Sequence, residues 1–179
     1  MLKRSLLVAT ATLAMSTAVF ASSVHLKGFA NPTFTDNGLT LTASGALAGL
    51  GNGDVLVNLA ATANATAICT NPSGQHQPPG QNPAPVSVSG SEAIPASEVK
   101  NGTVSFSVTT NPPVTPIPGA PGCPNKNWTE TITDLSFTGA TLTVQQGSPP
   151  ATELTVSCTF SPPTSDGTVP KSDVTCKSK

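Results

Sequence analysis

Four cysteines, two histidines and a single tryptophan are the side chains of this sequence best equipped for chemistry, and their spacing decides what they could do. Cys69, Cys123, Cys158 and Cys176 fit no zinc pattern, which needs ligands grouped a few residues apart. An even number of thiols reads instead as two disulfides in an oxidising compartment. Three connectivities are open. Pairing Cys69 with Cys123 is favoured because each adjoins a Pro/Asn loop, and Cys158 with Cys176 then closes a short second loop. The rival pairing, Cys69 with Cys158, rests on both residues having the inward parity of their strands, as in an immunoglobulin inter-sheet bridge.

Catalysis needs a nucleophile with its base, a pair of carboxylates, or a metal. His25 stands near the start of the chain and His76 in a Pro/Gln loop, and no Ser or Thr has a nucleophile-elbow context or a His/Asp spacing that suggests a triad. Glu92/Glu98 and Glu130/Asp134 are the acid pairs close in sequence, but glycoside hydrolysis also calls for aromatic sugar platforms, and there is one Trp and no Tyr. No catalytic residue is assigned and no enzyme is expected.

Metal and cofactor sites are not expected either. Cleavage after Ser22 would put His25 third, where it could join a free amine around Cu²⁺, yet the small-residue rule favours Ala21, leaving a solvated His in a mobile terminus. Asp36-Asn37-Gly38 and Asn52-Gly53-Asp54 offer oxygen ligands of the kind calcium takes, but both are ordinary turn sequences and neither extends to a binding loop. His76 and Trp128 are the candidate binding-loop residues. A lone Trp is more often buried than exposed, so Trp128 is read as a plug beneath its loop rather than a stacking platform. Sequons stand at Asn64, Asn101 and Asn127.

The elements that must position these residues are strands. No stretch carries apolar residues at helical spacing over several turns, whereas period-two alternation recurs. Leu39, Leu41 and Ala43 alternate with Thr40, Thr42 and Ser44; Val55, Val57, Leu59 and Ala61 resume after Gly49-Leu-Gly-Asn-Gly53. Asn52-Gly53 is read as the best hairpin signal, since Asn-Gly tolerates positive φ. Further strands are expected around Val86–Ser89, Val104–Val108, Ile132, Leu142–Val144, Leu154–Phe160 and Val174, with a bulge near Asp134 where parity slips between Ile132 and Leu135. Segments 71–85, 111–127 and 161–170 are too rich in Pro for interior strands and read as surface loops, the first two tied at their bases by the favoured bridge. The fold class is all-β: one immunoglobulin-like two-sheet sandwich of about 7–9 strands with long Pro-rich loops, over residues 22–179.

Residues 1–21 form a secretory signal: Lys3 and Arg4, an apolar run from Leu6 to Phe20, and a Val19-Phe20-Ala21 junction. Cleavage near Ala21 predicts a secreted or periplasmic product, with no further apolar run long enough to span a membrane. That product has six Lys, no Arg and nine acidic residues, a net charge of −3. No basic cluster exists to track phosphates, so nucleic acid is excluded as a partner. Val, Leu, Ile and Phe make up about a fifth of it. A core built from so few large side chains needs covalent help.

Around Leu39-Thr-Leu-Thr-Ala-Ser-Gly45 and Gly49-Leu-Gly-Asn-Gly-Asp54, and again at Cys69-Thr-Asn-Pro72, Gly80-Gln-Asn-Pro83 and Cys123-Pro-Asn125 with Trp128, the chain resembles a group of small exported bacterial proteins of uncharacterised function. The resemblance covers roughly Leu39 to Val144 and implies a compact secreted bacterial domain; its motifs are turns and cysteines and carry no activity. Three readings of function follow: a non-catalytic surface or extracellular binding module for a polysaccharide or a cell-surface protein; a self-assembling structural, matrix or adhesion protein; and, with least support, a secreted enzyme.

Overall fold

The computed structural model describes residues 23–81 and 83–179. The expected signal peptide and its cleavage site lie outside them. Alternating apolar and hydroxyl side chains bury one face of an extended chain and wet the other. They produce eleven strands among the described residues: β1 (His25–Leu26), β2 (Thr33–Asp36), β3 (Leu41–Ala48), β4 (Val55–Thr70), β5 (His76–Gln77), β6 (Val86–Ile94), β7 (Thr103–Thr109), β8 (Thr129–Gln146), β9 (Ala151–Phe160), β10 (Gly167–Thr168) and β11 (Val174–Ser178). Three of them, β1, β5 and β10, have two residues each; eight are longer.

The strands form two antiparallel sheets in a sandwich-like arrangement. In the five-stranded sheet β10, β2, β3 and β7 are neighbours, and β1 shares with β2 one edge of β3. The six-stranded sheet runs β11, β9, β8, β4, and the far edge of β4 takes β6 along its first half and β5 at its end. Along β4 every odd residue from Val55 to Cys69 is buried. Facing them are Leu41, Ala43 and Leu47 of β3, Phe106 and Val108 of β7, and Phe34 of β2, whose ring meets that of Phe160 edge-on at 5.0 Å.

β8 carries two bulges against β4. Thr66 pairs with Asp134 and Ala67 with Ile132, so Thr133 is the extra residue; Thr62 and Ala63 pair with Gly139 and Phe137, making Thr138 the second. Each bulge resets the parity, which keeps Ile132, Leu135, Phe137 and Ala140 all on the buried face. The bulge expected near Asp134 is the first of these.

The Asn52-Gly53 reading is corrected. β3 and β4 lie in different sheets, so the segment between them is a crossover and not a hairpin. Neither Asn52 nor Gly53 has positive φ; the segment is held instead by the Gln146 side chain, which accepts from Gly51 N–H at 2.8 Å and donates to Gly51 O and Gly53 O at 3.1 and 2.8 Å. The Asn-Gly pair that makes a tight reversal is Asn101-Gly102, with φ of 51° and 70°, between Lys100 and Thr103, which exchange two 2.9 Å backbone bonds. An Asn-Gly dipeptide reports tolerance of positive φ and carries no information on which strands it joins.

The layers are stitched along one side, where β6 meets β7. Ser107 N–H donates to the Glu92 carboxylate at 2.8 Å, and Asn111 donates through its backbone and side-chain amides to Ser89 O at 2.8 and 3.0 Å. Gly90 permits this approach: a Cβ there would stand 2.0 Å from Thr109 O.

Both bridges take the favoured connectivity. Cys69 bonds Cys123 across 54 residues and Cys158 bonds Cys176 across 18, so the Cys69–Cys158 alternative is not formed. The mobile-terminus reading of His25 is also corrected: His25 pairs with Ala48 in β1, and its ring Nδ1–H donates to Ser23 O at 2.6 Å.

Candidate binding groove between two proline-rich loops

β4 and β8, at 16 and 18 residues, are about twice the length of β3 and β7. At roughly 3.3 Å per residue they outrun the opposite sheet by several residues. Towards this end the β2–β3 turn reaches β8, where Gly38 O accepts from Leu135 N–H at 3.0 Å. Beyond it, the inner face at Ala67, Cys69 and Glu130 is buried but stands outside the main apolar core. The loop 111–127 roofs it.

Three attachments fix that roof. Ile117 N–H donates to Glu130 O at 2.7 Å, Thr115 Oγ1 accepts from Ile132 N–H at 3.1 Å, and the Cys69–Cys123 bridge clamps the loop to the end of β4. Glu130 is 1% exposed, and its carboxylate accepts from Gly122 N–H at 3.0 Å. Gly122 is needed for closeness: a Cβ would stand 2.8 Å from Glu130 Oε1, 2.9 Å from Pro79 Cβ and 3.0 Å from Gln81 O. Gly122 O in turn accepts from Gly80 N–H at 2.8 Å, so loop 71–85 is joined to the roof at this point.

Between the joined loops lies a groove of about 430 Å³. Pro83, Ala84, Val86 and Ser87 line one wall, Pro113, Val114, Ile117 and Pro121 the other, and Ile132 also borders it. Among the described residues no charged side chain borders it. Val114 is 82% exposed, the exposed large hydrophobic residue among those described. Proline holds φ near its folded value and lowers the cost of ordering such loops.

His76 and Trp128 come to the same end of the sheet, on the two sides of Thr70. Thr70 pairs with His76 on one edge and with Thr129, the neighbour of Trp128, on the other, and Thr70 Oγ1 lies 2.9 Å from His76 Nδ1. His76 is exposed, and neither residue lines the groove. Trp128 is half-buried and stands outside the main core cluster. The groove residues lay in the same loops, unmarked. Their signal was Val114 and Ile117 alternating with prolines in Pro112-Pro-Val-Thr-Pro-Ile-Pro118, apolar side chains with no strand to bury them.

Several acidic side chains hold the structure together. Asp36 is 2% exposed; its Oδ1 accepts from Gly38 N–H at 2.9 Å and its Oδ2 from the Thr164 hydroxyl, which also accepts from Phe137 N–H at 2.8 Å. Burial raises the Asp36 pKa above its ordinary 3.8, and the nearby charges of Asp134 and Asp166 push the same way, against the lowering effect of the two hydrogen bonds. Asp54 accepts from Ala96 N–H at 2.8 Å. No group of three or more His, Cys, Asp or Glu among the described residues is arranged to hold a metal ion. No helix among the described residues is long and apolar enough to cross a membrane.

No family model, curated protein or solved structure matches this chain.

Proposed function

We propose that the protein is an exported, non-catalytic binding module, an immunoglobulin-like sandwich that holds an apolar stretch of a partner protein in the groove between its two Pro-rich loops. The observation that carries this reading is Val114, 82% exposed on the rim of a charge-free apolar groove whose walls are clamped by a disulfide. Exposing such a side chain costs free energy that contact with an apolar partner recovers. Rigid walls reduce the ordering cost of binding. A protein partner is favoured over a polysaccharide because sugar sites present aromatic faces and converging polar groups, and Trp128 stands outside this groove. The signal-like start of the chain supports an extracytoplasmic setting, where the partner would be a cell-surface or extracellular protein.

Selection of a random-peptide display library on residues 22–179, repeated with Val114→Asp, tests the reading. Enrichment of apolar-rich peptides that the variant fails to enrich is the expected result. Equal enrichment by both proteins, or none alongside retention on a glycan array, would overturn it.

A further inference from the structure

The outer edge of β11 ends the six-stranded sheet, and among the described residues no strand pairs with it. Its inner edge is fully used. Lys179 and Thr155 exchange two backbone bonds of 2.8 and 3.0 Å, and Asp173 O accepts from Ser161 N–H at 2.9 Å. Successive residues of a strand turn their N–H and C=O to opposite edges. Odd residues therefore bond to β9, while Cys176 and Ser178 direct both groups outward, together with the carbonyl of Val174. The Val174 N–H closes the preceding turn on Lys171 O. The edge is held in place covalently, since Cys176 is bonded to Cys158 directly across the ladder.

We propose that this edge pairs with the same edge of a second copy of the chain, antiparallel about a two-fold axis through Cys176. Charge sets the register. Outward-facing groups must meet outward-facing groups, so even residues pair with even ones. Centring on Cys176 places Asp173 opposite Lys179 of the second copy, twice by symmetry, and Lys177 opposite Thr175. Shifting the axis to Thr175 also pairs Asp173 with Lys177 but brings Lys171, in the turn before the strand, against Lys179, and shifting it to Lys177 sets that lysine against its own copy. Only the register centred on Cys176 pairs opposite charges with no like charges directly opposed. Lysines on an edge strand ordinarily keep other chains away; with Asp173 beside them they select one partner and one alignment.

An edge of six residues buries less than the roughly 1,000 Å² of a stable interface, so the dimer should dissociate at Kd values of about 1 µM or weaker. Sedimentation equilibrium of residues 22–179 from about 1 µM to about 1 mM tests this. The expected result is a reversible monomer–dimer equilibrium. Ser178→Pro removes an outward N–H and leaves the β9 ladder intact; it should abolish the dimer. Asp173→Lys should raise Kd roughly tenfold or more, and Asp173→Lys with Lys179→Asp should bring it back. The charge exchange decides the matter if the proline variant does not fold. A monomer at every concentration, a dimer untouched by Ser178→Pro, a weakening that the exchange does not relieve, or a dimer dispersed by Val114→Asp would each overturn the proposal.

Discussion

The backbone amide of Gly122 donates to the side-chain carboxyl group of Glu130 at 3.0 Å, and through this bond the roof of the groove rests on a buried polar side chain. Glu130 in turn sits opposite Cys69, whose sulfur holds the next residue of the same loop, Cys123. One carboxyl group, one glycine and one disulfide therefore set the height of the roof.

Gly122→Ala is expected to destabilise the fold by about 1–3 kcal/mol, because its methyl group has no room between Glu130, Pro79 and Gln81. Thermal unfolding should show the loss. Gly119→Ala serves as the contrast: an added Cβ there meets nothing within 4 Å, and the cost is confined to backbone strain at φ 77°. A melting temperature for Gly122→Ala equal to that of the parent would argue against the close packing.

Replacing both Cys69 and Cys123 by Ser should cost roughly 4 kcal/mol, against roughly 3 for Cys158 and Cys176, since the first bridge closes 54 residues and the second 18. The two pairs differ further in a readout that stability does not move. Peptide selection by the groove should vanish with the first bridge and persist without the second. Denaturant titration of the two double variants, followed by the display assay, checks both halves.

Asp36 makes stability depend on pH in a definite direction. Its pKa is raised in the folded chain, chiefly by burial, so the folded state holds this proton more tightly than the unfolded state does. The contribution is fully present below the unfolded value of 3.8 and is lost as pH rises through the folded value. Asp36→Asn cannot ionise. Its stability relative to the parent should therefore climb from pH 3 towards pH 7, as read from melting temperatures across that range. A constant or falling difference would show that ionisation of Asp36 costs the fold nothing.

The two Asn-Gly sequences should respond unequally to Ala. Asn101→Ala places a residue that avoids the left-handed region at φ 51° and is expected to cost about 1 kcal/mol. Asn52→Ala, at an exposed crossover position without positive φ, should stay within about 0.5 kcal/mol of the parent. Chemical denaturation of the two variants side by side makes the comparison.

Much of the fold was legible because alternation speaks for itself. Val55 to Cys69 announces a strand with one buried face, and the slip between Ile132 and Leu135 places the bulge that the structure shows at Thr133. What alternation does not encode is which sheet a strand joins, and that is why Asn52-Gly53 read as a hairpin. The groove was hidden for a related reason. Val114 and Ile117 lie among prolines, where no period marks a face, and their meaning depends on β4 and β8 outrunning the opposite layer, a difference in length that becomes visible once the strands are paired. The aromatic and imidazole side chains drew attention as the chemically rich members of those loops, yet the groove wall is made of Val, Ile, Ala and Pro with one Ser.

The cross-ladder bond between Cys158 and Cys176 also decides how the chain bears a load. Drawn outward through Lys179, β11 would begin to unzip from β9 one rung at a time, the weakest geometry a sheet can offer to tension. The tear would run past Lys177 and stop at Cys176, where a covalent rung takes the strain and passes it into β9 at Cys158, a buried residue in the body of the sheet.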